Sequence, residues 1–303
     1  MHKMIGLLRN RDFIMILALA CGLLWGNGAK WTEPLTLPGL ALVMTLSTTA
    51  VSGGLFRSPK TMLVPLLSGV VMNYLILGGF LLGINAFLIH DEAIESGFVL
   101  VAAVPPAVAV LPYTVFLKGN NYFSLLGTIG AYLSALILTP LMAVSLLGTG
   151  FVHPAKIVTI MVELILVPLV ASRVLVRTGI ANRIEPLKGS IVNWTFFLIT
   201  YTIVGLNRNV FLSHPFSLLP VATVALASTF FLGWLIDRVG RMCRVEAGTR
   251  VSLLLLGTLK NYGLAGGLAL TLFGNKTALP ATVSTVFMIV YIIWLQLKLR
   301  SRT

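Results

Sequence analysis

Apolar runs alternate with short polar and basic segments along almost the whole of this chain. The runs approach the roughly 20 residues that an α-helix needs to cross the hydrocarbon core of a bilayer. The pattern predicts an all-α integral membrane protein with ten transmembrane helices, in a single transmembrane domain over residues 1–303. The predicted spans are residues 13–25, 37–51, 62–83, 97–117, 122–146, 157–174, 191–206, 218–236, 250–275 and 281–297.

Two of these spans are interrupted near their middle. The fourth contains three prolines, which lack the N–H group that a helical ladder requires: Pro105, Pro106 and Pro112. The ninth contains polar residues followed by glycines: Lys260, Asn261, Tyr262, Gly263, Gly266 and Gly267. Unwound backbone at membrane depth is tolerated where it is buried in protein or lines a cavity. The sequence therefore predicts that spans 4 and 9 are broken near residues 105–112 and 260–263.

Lys260 lies at an unusual depth for a charged residue. It follows Arg250 by ten residues, which at about 1.5 Å per residue is roughly 15 Å into a hydrocarbon core of about 30 Å. A charge at mid-membrane is expensive and marks a functional site by default. Lys260 is therefore predicted to belong to a binding site.

The basic residues indicate the orientation of the chain. Of the 22 Lys and Arg residues, 17 fall in segments on one side of the predicted spans, four fall on the other side, and Lys260 lies within a span. Positive charge concentrates in cytoplasmic loops. The distribution predicts a multi-pass protein of the inner (plasma) membrane with both termini in the cytoplasm. It also explains the net charge of +13 by topology and contact with the lipid bilayer, with no nucleic acid as partner.

Motifs for catalysis or cofactor binding are absent from the sequence. The two cysteines give no disulfide framework, and the four histidines have no metal-ligand spacing. There is no nucleotide-binding glycine loop and no nucleophile elbow. We therefore expect no cofactor, no metal and no enzymatic activity.

An internal repeat appears when the chain is shifted by 155 residues. The shift places 117–120 (LKGN) on 272–275 (LFGN), and places Pro105 and Pro106 on Lys260 and Asn261. Five spans separate the two broken helices, so the repeats must have opposite orientations. Interrupted spans at matching positions of inverted halves point to a transporter binding site.

The chain resembles the bile acid:sodium symporter family over about residues 35–297. The motifs that carry the resemblance are FRSPK after the hydroxyl-rich second span, LKGN after the fourth, Leu-Thr-Pro at 138–140 and KNYGLAGG in the ninth. The resemblance implies a panel of spans 1, 2, 6 and 7 beside a core of spans 3–5 and 8–10, in which the broken spans 4 and 9 cross at mid-membrane. It also implies organic anion substrates, alternating access and coupling to two sodium ions.

The chain departs from this family at the sodium ligands. Leu256 stands in place of an acidic ligand, Lys260 in place of a Gln, and Val110 and Leu111 in place of a Ser-Asn pair. Sodium is a hard cation and needs several oxygen ligands. We therefore expect Lys260 to occupy the cation position and transport to proceed without sodium, either by facilitated diffusion or with proton coupling.

The resemblance and the breaks together define the candidate residues. Predicted substrate-binding residues surround the two breaks: Lys260, Asn261, Tyr262, Gly263, Pro105, Pro106, Tyr113 and Thr114. Ser124 and Thr128 match family sodium ligands; these remnants of the ion site either line the crossing or bond to their own backbone. Glu163 is a candidate charge partner of Lys260, or else reaches outward toward solvent.

These observations favour a secondary transporter that moves a small organic anion by alternating access. One alternative is a cation/proton antiporter of similar fold, which should carry a carboxylate beside the crossing; neither broken span contains Asp or Glu. The other is a membrane-embedded sensor or enzyme, which should show an appended domain or an acid–base pair. The sequence leaves the substrate and the oligomeric state open.

Overall fold

The computed structural model describes residues 11–49, 59–148, 155, 158–159, 162–213 and 215–300. Within these ranges the regular structure is helical apart from one isolated β-bridge. Among the described residues, five helices are long and apolar enough to cross a membrane, or six when a pair bent by 90° between Leu24 and Gly26 is counted as one span. Several long, apolar helices of this kind are typical of a multi-pass membrane protein.

The described helices are numbered α1 to α10 in chain order. Some of them consist of two or three consecutive segments, and α4 and α9 are each divided into two helices, a and b. In the first half they are α1 (Arg11–Leu24), α2 (Thr36–Thr48), α3 (Pro59–Val70, Val71–Gly78 and Gly79–Leu88), α4a (Glu92–Ala103), α4b (Val110–Phe116) and α5 (Asn121–Leu147). In the second half they are α6 (Val162–Leu166 and Val167–Arg177), α7 (Ile180–Leu206), α8 (Leu219–Leu226, Ala227–Phe231 and Leu232–Met242), α9a (Ala247–Leu256), α9b (Tyr262–Leu272) and α10 (Leu279–Arg300).

Short single-turn segments connect several of these helices. They are Gly26–Gly28, Ala29–Thr32, Glu33–Leu35, Arg208–Ser213, Pro215–Leu218 and Lys276–Ala278. The middle segments of α3 and α8, and the first segment of α6, are π-helical. Such turns are rare and occur often at functional sites.

The predicted spans and the observed helices differ mainly at their ends. Helix α7 begins at Ile180 rather than at residue 191, because its polar first turns form a regular helix in which Lys188 pairs with Glu185 at 2.8 Å. The predicted end of span 2 and start of span 6 lie outside the described residues. Ten complete membrane crossings and an inverted relation between the halves stay predictions.

The helices form two sets of neighbours. Helix α7 packs on α1 and α2, and α6 packs on α2 and α7. Helix α5 packs on α3 and α4a, while α10 packs on α8, α9b and α4a. The second set surrounds the two broken helices.

Helices α3 and α5 approach closely at glycines. A Cβ atom at Gly69 would lie 1.9 Å from the carbonyl oxygen of Gly127, and one at Gly130 would lie 2.4 Å from that of Leu66. Small residues permit such backbone contact between helices in lipid, where apolar burial alone does not drive association. The contact fixes α5 against α3 and so positions the side chains that both helices send toward the broken helices.

Gly69→Ala should lower the thermal unfolding midpoint of the detergent-purified protein. The new methyl group meets backbone rather than a movable side chain, and overpacking of this kind costs about 1–3 kcal/mol. Gly79→Ala in the same continuous helix is the matched control, because a Cβ there meets nothing within 4 Å. Equal midpoints for the two variants would contradict the proposed close contact.

Candidate functional site

The breaks in helices 4 and 9 lie against each other. The backbone N–H of Ala107 donates to the carbonyl of Leu259 at 3.0 Å, and that of Asn261 donates to the carbonyl of Pro105 at 3.0 Å. Pro106 and Lys260 face each other as an isolated antiparallel bridge. Each unwound segment thus satisfies backbone groups of the other, as irregular backbone within a membrane requires.

Adjacent prolines produce the first break. Val104 is extended (φ −75°, ψ 156°), the conformation that a following proline favours. Pro106 has no N–H to donate to the carbonyl of Ala102 four residues earlier, so α4a ends at Ala103. Pro112, predicted to belong to the break, lies instead in the first turn of α4b, where the missing N–H has no helical partner to lose.

The second break occupies residues 257–261, earlier than predicted. Three glycines expected to unwind the helix lie inside α9b: Gly263, Gly266 and Gly267. A Cβ at Gly263 would lie 3.1 Å from Cδ2 of Leu40, and one at Gly266 would lie 2.9 Å from Cδ1 of Ile203. The glycines therefore serve the packing of α9b against α2 and α7.

Lys260 is fully buried at the crossing. Its Nζ donates to the carbonyl oxygens of Ala102 at 2.6 Å and Val104 at 2.9 Å, and lies 4.9 Å from the ring centroid of Tyr74. The carbonyl end of a helix carries the negative end of its dipole and attracts cations. The ammonium group thus replaces the donor that Pro106 lacks.

Side chains from α3 and α5 also donate hydrogen bonds to backbone carbonyls at the end of α4a. Asn73 of α3 donates its Nδ2 hydrogen to the carbonyl of Val104 at 3.1 Å, which is the interhelical hydrogen bond expected for a buried Asn. Thr139 of α5 donates to the carbonyl of Ala103 at 2.7 Å. Three consecutive carbonyls therefore receive donors from α3, α5 and the break in helix 9.

Asn261 caps α9b and connects it to α5. Its Oδ1 accepts from the backbone N–H of Leu264 at 3.1 Å, and its Nδ2 donates to the hydroxyl of Tyr132 at 3.3 Å. The Tyr132 hydroxyl donates in turn to the carbonyl of Pro106 at 2.8 Å. Sequence reasoning missed Tyr132, although it follows Thr128 by four residues and so shares its helix face.

A small cavity lies between the crossing and α7. It has a volume of about 40 Å³ and is lined on the crossing side by four consecutive residues: Lys260, Asn261, Tyr262 and Gly263. The Tyr262 hydroxyl is buried and makes no hydrogen bond with the described residues. A space of this volume holds one or two water molecules and is smaller than the pockets that bind organic ligands.

The other predicted residues lie on α4b and α5. The hydroxyl oxygens of Thr114 and Ser124 are 2.7 Å apart and join the two helices, while Tyr113 is buried on α4b. The buried hydroxyl of Thr128 has no hydrogen-bond partner within the described ranges and lines a second cavity of about 250 Å³ beside Arg173. The two remnants of the predicted ion site thus have different surroundings.

Glu163 is not the partner of Lys260 in this conformation. It is exposed in the π-helical turn of α6. The ion pairs among described side chains involve Asp91, Glu185 and Asp237, and none joins Glu163 to Lys260. The described partners of the Lys260 Nζ are instead the backbone carbonyls of Ala102 and Val104.

An exposed ion pair joins the loop before α4a to the turn before α10. Lys276 donates a hydrogen bond to Asp91, and this contact holds the pKa of the Asp91 carboxyl below its usual range. The pair lies at the rim of a cavity of about 790 Å³, together with His90 and Asn275. It connects the ends of both broken helices at that face.

Curated relatives are sodium/metabolite cotransporters. The chain is 26% identical over 310 aligned positions to the chloroplastic probable sodium/metabolite cotransporter BASS1 of Oryza sativa subsp. japonica, covering 95% of this chain and 72% of the relative. It is 28% identical to the rice BASS3 protein, over 75% of this chain and 55% of that relative. It is 24% identical to BASS1 of Arabidopsis thaliana, over 90% and 69% respectively. No family model matches the chain.

Lys260→Met should lower the thermal unfolding midpoint more than Lys260→Gln. Met has similar length but no donor, so the Ala102 carbonyl loses its hydrogen bond at a cost of about 1–3 kcal/mol. Gln retains an N–H group and should lose less. Lys30→Met at an exposed position is the control for removal of a positive charge. A Lys260→Met protein as stable as the wild type would show that this contact does not hold the end of α4a.

Proposed function

This chain is related over most of its length to sodium/metabolite cotransporters of the bile acid:sodium symporter family, and from that premise we propose that it is a secondary transporter that carries a small organic anion by alternating access. The relatives are cotransporters rather than enzymes. The observation that carries the proposal is the crossing of two broken helices around the buried side chain of Lys260, whose Nζ donates to the carbonyl end of α4a.

The charge at the crossing favours an anion. Helices α4b and α9b begin beside the breaks, and helix N-termini carry free N–H groups and the positive end of the dipole. Lys260 adds a positive charge, and residues 104–116 and 257–272 contain no Asp or Glu. A carboxylate or sulfonate group is the natural match. The same absence of a carboxylate weighs against the cation/proton antiporter.

The substrate site is proposed to open from the small cavity beside Tyr262. Its opposite wall belongs to α7, with Ile199, Thr200 and Ile203. Displacement of a panel (α1, α2, α6 and α7) from a core (α3–α5 and α8–α10) would enlarge this cavity without breaking the crossing. Pro105 and Pro106 would then present the unwound backbone of helix 4 to the substrate.

Two π-helical turns support the proposed inverted halves. The shift of 155 residues moves the turn at Val71–Gly78 to positions 226–233, and a second π-helical turn occupies Ala227–Phe231. Equivalent irregularities at equivalent positions are what duplicated halves should retain. The five helices α1–α5 would then correspond to α6–α10.

The grouping of polar residues supports the proposed topology. Ends predicted to be cytoplasmic contribute Lys118, Arg241, Arg250 and Lys298 to one cavity. Loops predicted to be outside contribute His90, Asp91 and Lys276 to a different one. We therefore retain the proposal of an inner-membrane protein with both termini in the cytoplasm.

Transport is proposed to proceed without sodium. The Lys260 ammonium already binds the carbonyl end of α4a, and as a tethered charge it does not leave with the substrate. Ser124 is engaged with Thr114, and a few hydroxyls without a carboxylate make a poor site for a hard cation. Facilitated diffusion and proton coupling are the two modes consistent with this arrangement.

Uptake of labelled organic anions into proteoliposomes should be unchanged when choline replaces sodium. Lys260→Gln should abolish most of this uptake, because the positive charge at the crossing is lost, whereas Lys30→Gln should transport normally. A steep sodium dependence of the wild-type protein would refute sodium independence. Saturable binding of organic cations alone would refute the anion proposal itself.

Tyr262→Phe should weaken substrate binding without lowering stability. The hydroxyl has no hydrogen bond to lose among the residues that the structure describes, and one hydrogen bond to a substrate contributes about 0.5–1.5 kcal/mol. The apparent KM for uptake should therefore rise by roughly 2- to 10-fold. Tyr132→Phe provides the contrast and should lower the unfolding midpoint, because that hydroxyl donates to Pro106. An unchanged KM for Tyr262→Phe would remove this residue from the site.

A further inference from the structure

A large cavity at one face of the molecule is separate from the crossing. It has a volume of about 660 Å³ and lies where α4b, α8 and α10 end and α9a begins. We call it the basic cavity, after its four cationic lining residues: Lys118, Arg241, Arg250 and Lys298. The acidic side chain among the described lining residues is that of Asp237.

Among the described residues that line the basic cavity, positively charged side chains outnumber negatively charged ones. Arg250 donates to Oδ1 of Asp237 at 3.0 Å, and Arg241 donates to Oδ2 at 2.8 Å. One carboxylate is thus shared by two guanidinium groups and leaves one positive charge. Lys118 and Lys298 raise the excess to three positive charges around one space. Such a site attracts an anion with several acceptor oxygens.

Exposed aromatic side chains border the basic cavity. Phe116 is 51% exposed, Trp234 53% and Trp294 38%, and the Lys298 ammonium lies 4.5 Å from the Trp294 ring centroid. Tryptophan is enriched at the level of lipid headgroups, and basic pockets between transmembrane helices bind anionic headgroups. The aromatic and basic residues at the edge of this cavity are therefore of the types that occur at the level of lipid headgroups.

We propose that the basic cavity binds the phosphate of an anionic phospholipid headgroup, with the acyl chains in the surrounding bilayer. The guanidinium pair of Arg241 and Arg250 and the ammonium groups of Lys118 and Lys298 would surround the phosphate oxygens. A bound headgroup would connect the end of α4b with α8, α9a and α10. Binding here is independent of transport at the crossing.

The test measures retention of phosphatidylglycerol by the detergent-purified full chain, with native mass spectrometry and phosphatidylcholine as the neutral comparison. Lys118→Gln/Lys298→Gln removes two charges and keeps the salt bridges of Arg241 and Arg250 with Asp237. Arg177→Gln/Arg183→Gln is the matched control, because these exposed residues carry the same charge on connections of the same predicted side. Both variants should keep the wild-type unfolding midpoint in phosphatidylcholine.

The expected result is a preference for phosphatidylglycerol in the wild type and the control variant. Phosphatidylglycerol affinity should fall at least about 5-fold in Lys118→Gln/Lys298→Gln and less than about 2-fold in the control, since basic residues at the membrane surface attract anionic headgroups. Equal losses in both variants, or no preference in the wild type, would overturn the proposal. Displacement of the lipid by millimolar glycerol phosphate would also overturn it, because the ligand would then be a soluble phosphate.

Discussion

A backbone carbonyl inside a bilayer has no water with which to form a hydrogen bond, and the structure of this protein is arranged around that constraint at the end of α4a. Pro106 lacks the N–H that the Ala102 carbonyl would receive in a continuous helix. Lys260 supplies the missing donor from the opposite broken helix. A buried ammonium is itself expensive, but two carbonyls at a helix C-terminus and the face of Tyr74 surround it.

The same constraint explains why distant helices meet at this point. Asn73 and Thr139 donate to the neighbouring carbonyls, and the glycine contact between α3 and α5 brings both side chains within reach. At the opposite side of the crossing, Tyr132 and Asn261 satisfy the Pro106 carbonyl and the first turn of α9b. The fold and the candidate site therefore share one set of hydrogen bonds.

The sequence predicts the two breaks well, because prolines and a mid-span lysine are local signals. It does not predict the donors Thr139 and Tyr132, since both lie in apolar runs whose pattern is the same whether a side chain bonds its own helix or another. The prediction that Gly263 and Gly266 unwind the helix is wrong for a related reason. Glycine permits both unwinding and close packing, and only the neighbouring Leu40 and Ile203 distinguish the two. The positions of the breaks thus follow from the local sequence, whereas the contacts around them depend on the tertiary structure.

The two sides of α9b differ in the kind of contact that holds them to neighbouring helices, and the glycines of α9b contribute to this difference. Toward the break in helix 4, movement would require rupture of backbone hydrogen bonds, each of which is strong in an apolar medium. Toward α2 and α7, Gly263, Gly266 and Gly267 carry no side chains that interlock with Leu40 or Ile203, and contact there rests on weak, exchangeable dispersion forces. The described backbone hydrogen bonds therefore join the two broken helices to each other more strongly than dispersion contacts join the glycine face of α9b to α2 and α7.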